Sequence, residues 1–485
     1  MHSLRSPMPK GIGYIYAINI LVVFIYAVLF SSLMIFLTKT LSFSTGHAEN
    51  VVGLFLALNF ILHLFAGFIG GRLISNRYLL VISTIIKVIG IYILSTESVE
   101  NVFWGLSLVV IGCGINTTCL QCILTQQFDK NDSRRESAFF WMYSALNAGF
   151  FLGFTMSGYF DLVGHYKYLY LLGVVVTIMA IFCIYFAWPY INERGTVVAL
   201  ANKKNRSKMC FLGTALVLVL IPFVTSGFHY PSLANDLIFG LGITTLLSVL
   251  LFIVKCKNKK HKSGMLAFLI LTFFSIIFWS LFYVGPLGGI LFLENNVDLF
   301  VLGFKLAPQW LMNLNSIFII VGSPCLGMIF NRLRNKGCKI TIPRQFSLAL
   351  ILIALSYFIF SIGIYYSDNR GKTALIWVVL HYIFQAAGEL FIAPVGYAMI
   401  GQLIPDKLQG FMMGTWMMVS GIAVELSNWF SHLMTRSGSL DPILNNDNYS
   451  QTFNMLGIST IIFAVILMLF VPFLDKLVMT VSEET

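Results

Sequence analysis

Residues 13–38, GYIYAINILVVFIYAVLFSSLMIFLT, run for 26 positions without a charged side chain. About 20 apolar residues in a helix cross the hydrocarbon core of a bilayer, so this stretch is long enough to span. A short basic start, with Arg5 and Lys10, precedes it. The run is too long for the core of a secretion signal, and no small-residue cleavage site follows. It is expected to be retained as the first membrane helix.

The rest of the chain repeats the pattern. Of 485 residues, 58% are apolar and 11% charged, against about 45–50% and 25% in soluble domains. The 44 Phe and 39 Gly fit the same picture, because membrane helices tolerate Gly better than soluble ones. Soluble enzymes, nucleic-acid binders and disordered scaffolds are poor descriptions of the whole chain. Further windows of spanning length run roughly 50–71, 78–95, 101–126, 137–160, 168–190, 209–227, 236–255, 265–292, 310–331, 345–365, 374–402, 409–433 and 452–473. With 13–38 they make fourteen expected spans of an all-α integral membrane protein.

Charge gives an independent test. With a cytoplasmic N-terminus, 24 of the 31 Lys and Arg fall in cytoplasmic segments, 6 fall opposite and Lys87 lies inside a span. Basic residues concentrate on the cytoplasmic side. The bias supports an even number of spans with both termini cytoplasmic, in a cell inner membrane. It also explains the net charge of +11 by topology, so no nucleic-acid partner is needed. The eight Cys lie in spans or cytoplasmic loops and no disulfide is expected. Cys119 and Cys122 form a C-x-x-C inside an apolar helix with no further ligand cluster, which reads as coincidence. No nucleotide-binding loop and no cofactor motif is read. The expected partners are the lipid bilayer and a small solute, with no cofactor and no metal; a monomer suffices, and the oligomeric state is left open.

The polar segment 191–208 and the basic run 255–262 (KCKNKKHK) flank the seventh and eighth windows. Removing that pair leaves six spans on each side, so the expected organisation is 1–190, 191–264 and 265–485. Six plus six with a central linker is the layout of the major facilitator superfamily, whose halves are related repeats that rock about a midplane site. A weak internal repeat agrees. Gly67-Phe68-Ile69-Gly70-Gly71-Arg72 ends the second span of the first half, and Gly327-Met328-Ile329-Phe330-Asn331-Arg332 ends its counterpart.

Ionisable groups in the hydrocarbon core are costly unless paired, hydrated or neutralised. The windows contain few: Lys87, Glu389 and Glu425, with His63 and His381 titratable. Glu389 lies mid-span, five residues before Pro394, whose missing N–H frees the carbonyl of Leu390 and favours a kink beside the carboxylate. It reads as a substrate-ammonium or proton site, or as a carboxylate paired for packing. Tyr143 and Asn147 are four apart and share a helix face, which reads as a cavity wall or, with Gly149 and Gly153 nearby, as a tight helix contact. Glu425 falls about half a turn out of phase with Trp416 and points to an interfacial role. No spacing selects a partner for Lys87, although Glu425 or another acid would compensate it. His63 reads first as a core imidazole, and His381, eight residues before Glu389 on nearly the same face, as a candidate proton partner for it.

Residues 388–416 run Gly-Glu-Leu-Phe-Ile-Ala-Pro-Val-Gly-Tyr … Leu-Gln-Gly-Phe-Met-Met-Gly-Thr-Trp. They resemble the tenth-to-eleventh-span pattern of the proton-dependent oligopeptide transporter family, GE-x-x-x-x-PVG then LQG-x-MMG-x-W. Asp132-Ser133-Arg134-Arg135-Glu136 … Phe139 … Tyr143 … Asn147-Ala148-Gly149 is similar to its fifth-span motif. Phe278-Trp279-Ser280-Leu281-Phe282 is similar to its seventh-span FWALF, and Asn315 … Ile319-Ile320 … Pro324 to its eighth-span pattern. The extra central helix pair also recurs in bacterial members.

The resemblance implies a major facilitator fold of six plus six helices with two between the halves, and secondary transport of short peptides or related amine-bearing solutes by alternating access, coupled to protons. It implies that Glu389, Asn147 and Asn315 hold the substrate ammonium while Tyr143, Tyr283 and Trp416 line the cavity. Glu389, His381 and His63 are the proton-coupling candidates. The family's first-span E-x-x-E-R falls on Asn19, Val22 and Val23, its fourth-span Lys on Thr117 and its seventh-span acid on Tyr283. The Asp of the loop between its second and third spans falls on Gly71, while Arg72 and Arg77 remain. The amine-binding half of a peptide site is therefore expected to persist and the carboxylate-binding half to be lost. The competing expectations are a facilitator of another small solute, uncoupled or differently coupled, and a relative that binds a ligand without transporting it.

Overall fold

A computed structural model describes residues 8–128, 134–191, 193, 196–336, 341–404 and 406–482. In lipid every backbone N–H and C=O has to be satisfied within the protein, and the chain answers with helices. These are α1 (Ile12–Ile35), α2 (Thr45–Ile69), α3 (Asn76–Leu94), α4 (Val102–Thr125), α5 (Arg134–Val163), α6 (Tyr166–Ala187), the short α7 (Val197–Leu200), α8 (Lys203–His229), α9 (Pro231–Lys255), α10 (Lys259–Phe282), the short α11 (Ile290–Asn296), α12 (Pro308–Asn335), α13 (Ile342–Tyr365), α14 (Leu375–Leu403), α15 (Asp406–Met434) and α16 (Pro442–Ser482). Each window read from the sequence falls on a long helix, except that 13–38 ends in the π-helical segment Phe36–Thr40 and 265–292 runs beyond α10 into α11. Among the described residues, eleven helical segments are long and apolar enough to cross a membrane. The other three windows fall on α5, α12 and α15, which carry Asn147, Asn315 and Trp416. The sequence motif Asp132-Ser133 lies outside the described residues.

The chain forms two compact units. Unit 1 comprises Met1–Phe43 and Leu54–Ala234, and unit 2 comprises Ser44–Gly53 and Asn235–Thr485.

Within unit 1, small residues let helix backbones approach. A methyl built on Gly90 of α3 would lie 2.8 Å from the Gly105 carbonyl of α4. On α5, one built on Gly149 would lie 2.9 Å from the Ile20 carbonyl of α1, and one on Gly153 would lie 2.8 Å from the Phe24 carbonyl.

Within unit 2, α13 is tied to α10 by the Tyr357 hydroxyl, which donates to the Leu281 carbonyl at 2.5 Å. An aromatic core joins α11, α13 and α16 through Phe292, Phe360 and Phe453, with ring centroids 5.2–5.3 Å apart. The helix ending at Phe282 does not run straight into α11. The π-helical turn Gly285–Gly289 intervenes, and Leu287 leaves helical geometry at φ −100°, ψ −118°. Beyond α11, β1 (Phe300–Val301) and β2 (Phe304–Lys305) pair antiparallel around Leu302 and Gly303, both at positive φ, as a two-residue hairpin turn demands. Asn296 closes the same end of the unit by donating to Asn445 at 2.5 Å and Asn446 at 2.8 Å.

Candidate functional site

In unit 2 the candidate residues gather along α14. Glu389 is 7% exposed, and its Oε2 accepts a hydrogen bond from Asn315 Nδ2 of α12 at 2.9 Å. The amide satisfies one carboxyl oxygen and brings no charge of its own. Gly396 follows Glu389 by seven residues, two helical turns, and so lies on the same face. Trp416 of α15 packs there. A methyl built on Gly396 would lie 2.6 Å from Trp416 Cε2, so the indole occupies the space that the missing side chain leaves. Asn315, Glu389 and Trp416 thus meet at one face of α14. Pro394 lies inside this helix, which continues unbroken to Leu403.

Tyr283 caps the C-terminus of α10, where its ring stacks on Trp279 at 6.0 Å. It sits at the entry to the broken Gly285–Gly289 turn. His381 is placed elsewhere. Its Nδ1 lies 3.0 Å from the Ser356 carbonyl of α13, and its ring stacks on Phe360 at 3.7 Å. Eight residues separate it from Glu389, about 12 Å of helix rise, so the two do not form a direct pair. Glu425 is half-buried on α15 and interacts electrostatically with Asp236 of α9 and with His432.

In unit 1, Asn147 Nδ2 donates back to the Tyr143 carbonyl of its own helix at 2.9 Å. Tyr143 is 36% exposed. Helix phase separates the two functions read for this stretch. Gly149 and Gly153 form the contact with α1, while Asn147 lies some 160° around the axis from Gly149. His63 of α2 meets Phe60 edge-on, and neither of its ring nitrogens has a hydrogen-bond partner among the described residues.

The positions at which the resembled family carries first-span charges are packed or locally satisfied here. Asn19 donates to the Met142 carbonyl of α5 at 3.1 Å, and Val22 and Val23 are buried. Thr117 donates to the Cys113 carbonyl one turn back. Lys87, fully buried, finds a partner that no spacing selected: its Nζ donates to the Val22 carbonyl at 2.9 Å. Its stem lies over Gly112, where a methyl would come within 3.2 Å of Lys87 Cγ. Beside it, Ser83 and Thr84 both direct their hydroxyls at Asn116 Oδ1.

Sequence reading also missed a polar cluster at the start of α2. Glu49 is fully buried and accepts from Ser431 at 2.5 Å and Thr435 at 2.9 Å, while His432 stands 2.6 Å away. A lone Glu outside the apolar windows and a His 383 positions away give no pairwise signal.

A model described as the POT family, PTR2, matches residues 78–448. The chain is 28% identical over 465 residues to dipeptide and tripeptide permease B of Salmonella typhimurium, covering 93% of this chain and 92% of the permease. It is 25% identical over 482 residues to dipeptide and tripeptide permease A of Klebsiella pneumoniae, covering 98% and 94%. The crystal structure of a peptide transporter POT in complex with sulfate superposes with a TM-score of 0.83 at 21% identity, covering 97% of this chain and 96% of that one. That likeness establishes the fold.

Proposed function

The chain belongs to the POT family, and from that membership we propose that it is a secondary transporter of short peptides or related amine-bearing solutes. It works by alternating access, two related bundles rocking about a midplane site, in a cell inner membrane with both termini cytoplasmic. The observation that carries this reading is the buried Glu389 carboxylate, held by the neutral Asn315 amide on the face of α14 where Trp416 packs. An anion oriented by an amide retains its attraction for an ammonium, and the indole offers an aromatic wall for an apolar side chain. The names of the relatives, dipeptide and tripeptide permeases, support peptides as the solute. Asn147 and Tyr143 contribute the corresponding polar face of α5.

With Val22, Val23 and Thr117 in place of charged groups, a free substrate carboxylate contributes little to recognition. The same three residues favour a second reading, transport without proton coupling. Uptake into proteoliposomes, with and without an inward pH gradient, across peptides, amino acids and polyamines tests both. Di- and tripeptides are expected to accumulate when the gradient is imposed. Equal uptake with and without it would support the uncoupled reading, and no peptide uptake or exchange would overturn the proposal.

A further inference from the structure

Glu49, in the second turn of α2, is fully buried in unit 2 against α15. Its Oε1 accepts from Ser431 Oγ at 2.5 Å and Thr435 Oγ1 at 2.9 Å. Its Oε2 lies 2.6 Å from Nδ1 of His432. The other ring nitrogen of His432, Nε2, lies 3.1 Å from Oδ1 of Asn50, an oxygen that also accepts from Asn428 Nδ2 at 2.9 Å. The Asn50 carbonyl is held in turn by Asn235 Nδ2 of α9 at 3.2 Å.

Both imidazole nitrogens therefore face acceptor oxygens. A neutral imidazole carries one N–H, and an imidazolium two. One proton on Nε2 serves Asn50, and a second has to lie between Nδ1 and Oε2, shared by the ring and the carboxylate. Without it, a nitrogen lone pair would meet a carboxylate oxygen at 2.6 Å. A further proton, placed on Glu49, would turn one of its acceptor oxygens into a donor, so that Ser431 or Thr435 would have to accept where it now donates. Losing the shared proton sets Nδ1 against Oε2 with nothing between them, and gaining another forces a hydroxyl to reverse.

Access is also built in. The side chain of Glu49 is 0% exposed, but that of His432 is 37% exposed, so the imidazole connects the buried carboxylate to the surface. Among the described residues, Glu425 on α15 acts on His432, Tyr449 on α16 interacts with Glu49, and Asp236 on α9 acts on Glu425, with His47 and Arg436 two and four positions away along the chain.

We propose that Glu49 and His432 form a proton-binding site whose single shared proton holds the first turns of α2 against α15. Helix α2 belongs to unit 2 as far as Gly53 and to unit 1 from Leu54 onward. Holding or freeing its first turns thus acts on a helix that both units share. In the orientation proposed above, this end of α15 faces the outside, where protons enter. The coupling role rests on the transport reading; the proton site itself does not.

Amide hydrogen exchange of the purified full chain tests the site without any substrate. Protection of Thr45–Gly53, corrected for intrinsic rates, should peak near the singly loaded state. It should fall about fivefold, the worth of one hydrogen bond, as rising pH removes the shared proton. Glu49→Gln should flatten the profile, and the double exchange Glu49→His with His432→Glu should restore it. A wild-type profile independent of pH would overturn the proposal, even if no variant folds, and so would a Glu49→Gln profile that keeps the wild-type shape. In proteoliposomes, the ratio of peptide uptake with and without a pH gradient should fall towards one in Glu49→Gln. Should the wild-type protein move no peptide, the transport reading fails while the exchange measurement still decides the proton site.

Discussion

Trp416 of α15 fills the space above Gly396 of α14 so closely that a single methyl on the glycine would stand 2.6 Å from the indole Cε2. Gly396→Ala should therefore displace the ring. Overpacking of this kind costs about 1–3 kcal/mol. A lower melting temperature and a shifted tryptophan emission are expected, together with reduced uptake. Trp416→Phe in the same chain should recover part of the lost stability. Additive losses in the double variant would argue against the contact.

Glu389 accepts from Asn315 at 2.9 Å. Hydrogen bonds to charged groups contribute about 1.5–3 kcal/mol. If the carboxylate holds the substrate ammonium, Glu389→Gln should raise the peptide concentration for half-maximal uptake by about 10- to 100-fold, since 1.4 kcal/mol is a factor of ten. Asn315→Ala keeps the charge and loses only its orientation, so a smaller rise is expected. Concentration-dependent uptake of a labelled dipeptide checks both, and an unchanged Glu389→Gln curve would remove this acid from the site.

The long helices were legible because an apolar run is a local property of a sequence. The windows from 13–38 to 452–473 fall on helices, with the broken Gly285–Gly289 turn inside 265–292, although α16 begins ten residues before its window, at Pro442. That early start is polar and is held by Asn445 and Asn446, which accept from Asn296; no hydropathy pattern carries it. The α14 face was half legible. The seven-residue spacing of Glu389 and Gly396 is readable, but the facing Asn315 and Trp416 come from other helices and were placed by motif alone. Lys87 shows the opposite limit. A sequence search for its partner looks for acids, and the structure supplies a backbone carbonyl. Glu49 and His432 lie on helices far apart in the chain, so no periodicity links them.

Lys87 has three N–H donors and bonds the Val22 carbonyl in a fully buried setting. Burying an ammonium is expensive, and replacing a buried charge by an apolar group of similar volume is often neutral or stabilising. Lys87→Met should leave the melting temperature unchanged or higher. Lys87→Ala should lower stability by about 2–5 kcal/mol, because the space over Gly112 empties. A Lys87→Met protein as unstable as Lys87→Ala would show that the ammonium itself holds α3 to α1.

Between α13 and α14, Asp368 accepts from the backbone N–H of Lys372 at 2.8 Å and of Arg370 at 2.9 Å. The Lys372 N–H, and then Arg370, hold its carboxyl below the ordinary value of 3.8. A carboxylate with a lowered folded-state pKa adds stability that is fully present above its unfolded pKa and is lost as pH falls through the folded one. The 366–373 turn should accordingly stay ordered at pH 3.8, where a free Asp is half protonated, and loosen only at lower pH. Hydrogen exchange of Gly371 and Lys372 across that range measures it, and Asp368→Asn should abolish the transition.

The account places substrate recognition on the ammonium end of a peptide. Its most direct test compares three forms of one dipeptide as competitors for uptake in proteoliposomes: the free peptide, its C-terminal amide and its N-acetyl derivative. The amide should compete within about fivefold of the free peptide, since no charged partner for the carboxylate remains at positions 22, 23 and 117, and a neutral hydrogen bond contributes about 1 kcal/mol. The N-acetyl form should lose competition by about tenfold or more. The reverse order, with amidation abolishing competition and acetylation tolerated, would contradict the account.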